Sequence, residues 1–249
     1  MGGLLEDWQT WGFILAGSLI GGFVNGLTGF GTGMTALPLW LQVLEPVLAA
    51  QLVSAASVGG HVYTLPTLWR AFNWRRMAPM TIAGLIGVPI GVWLLSRISL
   101  GAFKLTVGLL LVGYCAFMLF AAGRVRVAGG GAKAEAAIGI GGGVLGGIAG
   151  LSGVLPIVWA TLKGWSKEQR RVSLQVFNMI VLTATLAVSL MRGLIGMSLL
   201  VTFAVALPGT FLGARLGVML YRRVDDMSFE RIVLALLLIS GIGLVWSAR

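Results

Sequence analysis

Charge is what this sequence has least of. Only 10% of its 249 residues are Asp, Glu, Lys or Arg, against 57% hydrophobic, whereas a soluble domain carries about 25% charged residues to keep its surface wetted. That shortfall excludes a soluble globular enzyme, and the hydrophobic content excludes intrinsic disorder. The chain reads as a polytopic membrane protein. Acidic residues are the scarcest charges, eight in all. None lies inside an apolar run, and Glu45, Glu135 and Glu168 stand at run boundaries. A carboxylate proton relay or cation site is hard to build from such a chain, and the absence suits an anionic ligand. Cys115 is the single cysteine, so no intrachain disulfide forms, and it is expected to pack as a small hydrophobe. The first ten residues carry Glu6 and Asp7 but no Lys or Arg, which is not how a cleavable signal peptide begins.

What is there in excess is positive charge at the ends of apolar segments. The formal net charge is +10. In a soluble chain that would point to nucleic acid. Here the cations flank apolar runs, the pattern of a positive-inside membrane protein, and no nucleic-acid partner is expected. Most of the nine tryptophans, among them Trp8, Trp11, Trp40, Trp69, Trp74, Trp165 and Trp246, fall near run ends, as an interfacial belt should.

The apolar runs are 11–44, 46–69, 79–95, 105–122, 136–162, 172–191, 197–214 and 232–246. One crossing needs about 20 residues. Runs 11–44 and 136–162 are too long for one and are interrupted by glycines at mid-length: Gly21, Gly22, Gly26, Gly29, Gly31 and Gly33 in the first, Gly141 to Gly153 in the second. Pro38 and Pro156 follow. Glycine costs about 1 kcal/mol relative to alanine in a helix and proline about 3, so both stretches read as broken helices or re-entrant hairpins.

The two stretches are copies of each other. Gly21-Gly22-Phe23-Val24-Asn25-Gly26-Leu27-Thr28-Gly29 aligns without a gap on Gly142-Gly143-Val144-Leu145-Gly146-Gly147-Ile148-Ala149-Gly150. Leu37-Pro38 then meets Leu155-Pro156, and each copy is followed by a segment carrying amides, Gln51 with Ser54 in one and Gln175 with Asn178 in the other. The chain is an internal duplication: residues 1–122 form a first transmembrane repeat, 123–134 a cytoplasmic linker and 135–249 a second repeat. If every run crossed once, Lys and Arg would divide 8 against 10, with no asymmetry. If each glycine-rich run returns to its own side, only Arg97, Lys104, Arg192 and Arg249 lie on one side and the other 14 of the 18 lie opposite. The positive-inside rule selects the second arrangement. It predicts an all-α protein of two inverted repeats, each a hairpin plus three transmembrane helices, with both termini outside. Inverted repeats with discontinuous helices are a common transporter architecture.

Irregular backbone at membrane depth must line a cavity or be buried in protein, and free N–H groups at a helix N-terminus suit an oxyanion. The expected substrate-binding residues are therefore the glycines of the breaks (Gly26, Gly29, Gly31, Gly147, Gly150 and Gly153) and the polar side chains beside them (Asn25, Thr28, Thr32 and Ser152). Gln51, Ser54, Gln175 and Asn178 join them from the following helices. His61, the only histidine, and nearby Tyr63 form a possible ionisable site, because an intramembrane ionisable residue is a functional hypothesis by default. The competing view of the glycines is close helix packing; the competing view of His61 is a neutral imidazole bonded to a carbonyl. No metal or cofactor is expected.

The duplicated Gly-Gly-x-x-x-Gly-x-x-Gly with its following proline, the short loops and the chain length resemble the TauE/SafE sulfite and organosulfonate exporter family, from about Trp11 to Trp246. The resemblance implies a bacterial or archaeal plasma-membrane permease that moves small sulfur-containing anions such as sulfite or sulfoacetate, mostly outward. The family often has three glycines in a row where these copies have Thr32 or Ser152. Its partners would be that anion and the lipid bilayer, with a homo-oligomer left open. Two other readings compete. An anion channel would share the site without alternating gates. Gly150-Leu151-Ser152-Gly153 also matches the Gly-x-Ser-Gly of rhomboid intramembrane proteases, but a serine nucleophile needs a base, and His61 precedes Ser152 where rhomboids place the histidine later.

Overall fold

A computed structural model describes residues 8–64, 74–120 and 126–221, together with 234, 237–239 and 241–246, apart from the side chains of residues 75, 76 and 167. Arg70 and the cations between 222 and 231 lie outside the described residues. Among the described residues the chain is helical and has no strand. The elements are α1 (Trp8–Thr28), α2 (Thr32–Trp40), α3 (Pro46–Thr64), α4 (Trp74–Leu95), α5 (Leu100–Phe120), α6 (Gly131–Ala149), α7 (Val154–Leu162), α8 (Lys167–Met191) and α9 (Met197–Tyr221). Helix α6 thus begins inside the stretch expected to be linker.

Among the described residues, five segments are long and apolar enough to cross a membrane: Trp8–Thr28, Met77–Leu95, Leu100–Phe120, Glu168–Met191 and Met197–Tyr221. A helix satisfies its backbone internally, the condition for spanning lipid. Large side chains such as Ile86, Leu109, Phe120 and Leu212 remain exposed, an apolar surface that a soluble monomer would hide. Local signals set the helix starts. Pro46 occupies the first turn of α3, where its missing N–H costs nothing. Ser166 and Gln169 form a reciprocal capping box on α8, with Glu168 in the first turn, complementing the helix dipole.

The glycines divide into two kinds, which the sequence did not separate. Gly21, Gly22 and Gly26 lie inside a continuous α1, and Gly141 to Gly147 inside a continuous α6; the expected mid-length interruption is absent there. These residues are packing surfaces. A Cβ on Gly26 would sit 2.2 Å from Ala214 O of α9, and one on Gly217 2.2 Å from Phe23 O of α1. Likewise a Cβ on Gly147 would meet Val88 O of α4 at 2.7 Å, and one on Gly91 would meet Val144 O of α6 at 2.2 Å. Two seams of small residues, α1 with α9 and α4 with α6, let the backbones touch. The breaks come later, at Gly29–Gly31 and Gly150–Gly153, where Gly29 (φ 79°), Gly31 (φ 97°) and Gly150 (φ 69°) adopt the left-handed conformation that a side chain disfavours.

Contacts along the seams give the helix directions. Ser18 meets Gly209 while Gly26 meets Ala214, so α1 and α9 run in the same sense; Tyr63 against Phe211 and Gly59 against Leu207 give α3 that sense too. Gly139 beside Met80 and Gly147 beside Val88 make α6 parallel to α4, and Phe177 and Val181, packed on Gly142 and Gly146, make α8 parallel to α6. Between α1 and α3, the half-length α2 folds back: Trp40 Nε1 donates to Ile14 O at 3.2 Å, and Gly21 faces Thr32 and Ala36. Helix α7 folds back on α6 in the same way, with Ser152 against Gly146 and Leu155 against Gly141. Cys115 is buried on α5, its Sγ 3.4 Å from Leu234 O.

Candidate functional site: a buried polar cavity between two helix breaks

The first break is assembled by short-range bonds. Thr28 Oγ1 lies 2.9 Å from Val24 O and 2.6 Å from Phe30 O, tying the end of α1 to the turn. Gly31 caps α2 without any side-chain bond, and the first intrahelical bond of α2 runs from the Thr35 N–H to Gly31 O. The N–H groups of Thr32, Gly33 and Met34 precede that bond and have no acceptor within the helix. The second break is more self-contained. Val154 N–H already donates to Leu151 O at 3.3 Å, Ile157 N–H to Gly153 O at 2.9 Å, and Pro156 has no N–H to offer.

The two breaks meet. A Cβ on Gly33 would stand 3.0 Å from Gly150 O, and one on Gly153 would stand 3.0 Å from Asn178 Nδ2 and 3.2 Å from Phe30 Cβ. Between them is a narrow cavity lined by Asn25, Phe30, Gly31, Thr32, Gly33, Met34, Ser57, His61, Gly150, Leu151, Gly153, Val154, Asn178 and Leu182. None of these residues is an acid, a lysine or an arginine. Asn25, Thr32, His61 and Asn178 are all at most 4% exposed.

Hydrogen bonding around the cavity is lopsided. On the side of the second break, Ser152 Oγ donates to Asn178 Oδ1 at 2.7 Å. On the side of the first, both polar atoms of Asn25, the Thr32 hydroxyl and both ring nitrogens of His61 are buried without a protein partner. A buried unpaired polar group costs about 1–3 kcal/mol. Buried polar groups in folded proteins are nearly always paired, and here several unpaired ones gather on one wall.

The expected site residues separate on this geometry. Asn25, Gly31, Thr32, His61, Gly150, Gly153 and Asn178 line the cavity, and Ser152 stands behind Asn178. Thr28 is spent on its turn, Gly26 and Gly147 on the seams, and Gly29 packs against Arg171. Gln51 Nε2 donates to Leu194 O at 3.0 Å and Ser54 Oγ to Ala50 O at 3.0 Å, while Gln175 donates to Thr64 Oγ1. Tyr63 is 45% exposed and meets Phe211 edge-on. Phe30, Gly33, Met34, Leu151 and Val154 at the breaks were not expected, nor were Ser57 and Leu182, although Ser57 precedes His61 by one helical turn and Leu182 follows Asn178 by one, a spacing that places each pair on one face. Arg171 was counted only among the loop cations. It is 4% exposed, its Nη2 donates to Gly26 O at 2.7 Å and its guanidinium lies 4.0 Å over the Tyr221 ring. It thereby satisfies a carbonyl in the last turn of α1, where the helix dipole favours a cation.

Helices of membrane-crossing length around an uncharged, polar, buried cavity mark a membrane protein. The description of the sulfite exporter TauE/SafE family matches residues 13–244, nearly the whole chain, and the chain belongs to that family. It is a transporter family, not an enzymatic one, and Ser152 accordingly turns its hydroxyl to Asn178 rather than to His61. No curated protein and no solved structure matches the chain.

Proposed function

We propose that this protein exports small sulfur-containing anions, sulfite or organosulfonates such as sulfoacetate, across a bacterial or archaeal plasma membrane by alternating access. The anion sits in the cavity between the two breaks. The observation that carries this reading is the convergence of the free N–H groups of α2 with unpartnered buried polar side chains in a cavity without charge. Oriented N–H dipoles at a helix N-terminus hold oxyanions, and the lack of any lining carboxylate leaves nothing to repel one.

The duplicated sequence and the paired seams support an inverted repeat, because α1 of the first repeat on α9 of the second answers α6 of the second on α4 of the first. Helices α2 and α7 would then be the returning arms of re-entrant hairpins, with both termini outside, and rocking of one repeat against the other would open the site alternately. Expelling net negative charge from a negative-inside cell is downhill by about 2.3 kcal/mol per charge per 100 mV.

Flux in proteoliposomes tests the assignment, with sulfite, sulfoacetate and chloride offered in parallel. Saturable flux with counterflow for a sulfur anion is expected; flux without counterflow would make the protein a channel, and no flux of either sulfur anion would withdraw the substrate class. The hairpin is tested separately in a Cys115→Ser background: cysteines at positions 8 and 45 should label from the same, outer side, and opposite labelling would sink it.

A further inference from the structure

We propose that the anion is bound together with one proton, carried by His61. The inference rests on the assignment of the cavity as the anion site. It starts from a mismatch of hydrogen-bond type. A deprotonated oxyanion only accepts. The spare donors of the residues that line the cavity, namely the first α2 N–H groups, the Asn25 amide and the Thr32 hydroxyl, suit it. A neutral imidazole, however, offers one donor and one acceptor, and Asn25 Oδ1 is a second acceptor. Both His61 nitrogens and both Asn25 polar atoms are buried without a partner, and Asn25 lies against α3 at Gly60, the residue beside His61. An acceptor-only ligand therefore leaves the bare imidazole nitrogen and Asn25 Oδ1 unsatisfied. One added proton on His61 turns the bare nitrogen into a donor and places a positive charge beside the buried negative one, which is otherwise costly to hold in an uncharged cavity.

Among the described residues no other titratable group lines the cavity. Of the helices packed around α3, α1 and α2 carry none at all. Helix α6 has Lys133 and Glu135 in its first turns, at the opposite end from Gly150, and α8 has its charges between Lys167 and Arg171, ahead of Asn178. Arg171 is turned onto Gly26 O and the Tyr221 ring. On α9, Arg215 is exposed, and on α3 itself Tyr63 faces Phe211. The proton enters from solvent with the anion and leaves with it, so a monoanion moves without net charge and a dianion moves as one.

His61 is the only histidine in the sequence, which makes its protonation state directly readable. Tag-free protein labelled with 15N-histidine is titrated with sulfite and with methanesulfonate, the latter remaining deprotonated throughout. Binding is followed by calorimetry in two buffers of different ionisation enthalpy. The expected result is uptake of about one proton per methanesulfonate, a shift of the single imidazole signal from a neutral tautomer to imidazolium, and affinity falling about tenfold per pH unit on the alkaline side. His61→Gln should flatten that pH dependence and abolish proton uptake. Binding with a neutral imidazole and no proton uptake would overturn the proton's place on His61 while leaving the anion site intact. Absence of binding by either anion would overturn the site itself, and this inference with it.

Discussion

The two halves of the molecule use one sequence pattern for different ends. Around the first break, three backbone N–H groups lie ahead of the first helical bond, and Asn25, Thr32 and His61 are buried with unpaired polar atoms. Around the second, Val154 N–H is already bonded, Pro156 has none to give, and Ser152 is closed onto Asn178. The wall at the first break thus keeps its hydrogen-bonding capacity spare, while Ser152 and Asn178 at the second are spent on each other. The two walls differ because the glycine pattern recurs while the polar side chains beside it do not: Asn25 aligns with Gly146, Thr28 with Ala149.

The seams are where the halves should behave alike, and there the largest effect is expected. Gly26→Leu and Gly147→Leu each drive a side chain into backbone at under 3 Å, and overpacking of this kind costs about 1–3 kcal/mol or more. Both variants should lose folded protein in a detergent-extraction and melting assay; loss in only one would show that the seams are not equivalent. The walls should then differ. Asn25→Leu removes an unpaired buried amide of similar size, so anion affinity should fall about 10- to 100-fold, the worth of one or two good bonds. The melting temperature should meanwhile hold or rise. A lower melting temperature would mean that Asn25 has a structural partner after all. Asn178→Ala should do the reverse, destabilising the fold by about 1–3 kcal/mol by orphaning Ser152. Smallest of all, Ser152→Ala should cost about 1 kcal/mol of stability and weaken anion binding less than Asn25→Leu does. An equal or greater loss of binding would place the ligand on the second wall instead.

Much of this was legible beforehand. The membrane class followed from a charge deficit that no folded soluble surface tolerates. The family could be read from the glycine pattern of Gly21–Gly29 and Gly142–Gly150, although the helices break just after most of those glycines, at Gly29–Gly31 and Gly150–Gly153. The cavity residues Asn25, Thr32, His61 and Asn178 were all named as candidates from their place beside the breaks. Other assignments needed the third dimension. Gln51 and Gln175 occupy matched positions, yet one is bonded to Leu194 O and the other to Thr64, partners distant in the chain. Gly26 and Gly29 look interchangeable in a string, but only Gly29 has a positive φ; Gly26 is pressed on Ala214. Arg171 looked like one more loop cation beside Arg170.

Composition and the pattern of apolar runs by themselves determined that the chain is a membrane protein and that it is helical. Those properties are local, since lipid forbids unpaired backbone and each segment answers to it alone. Tertiary structure decided which glycines bend the chain and which merely let helices touch. It also decided which polar side chains are spent on a neighbour and which remain spare. Such choices depend on what lies across the interface, and a side chain's partner is set by packing between segments far apart in sequence.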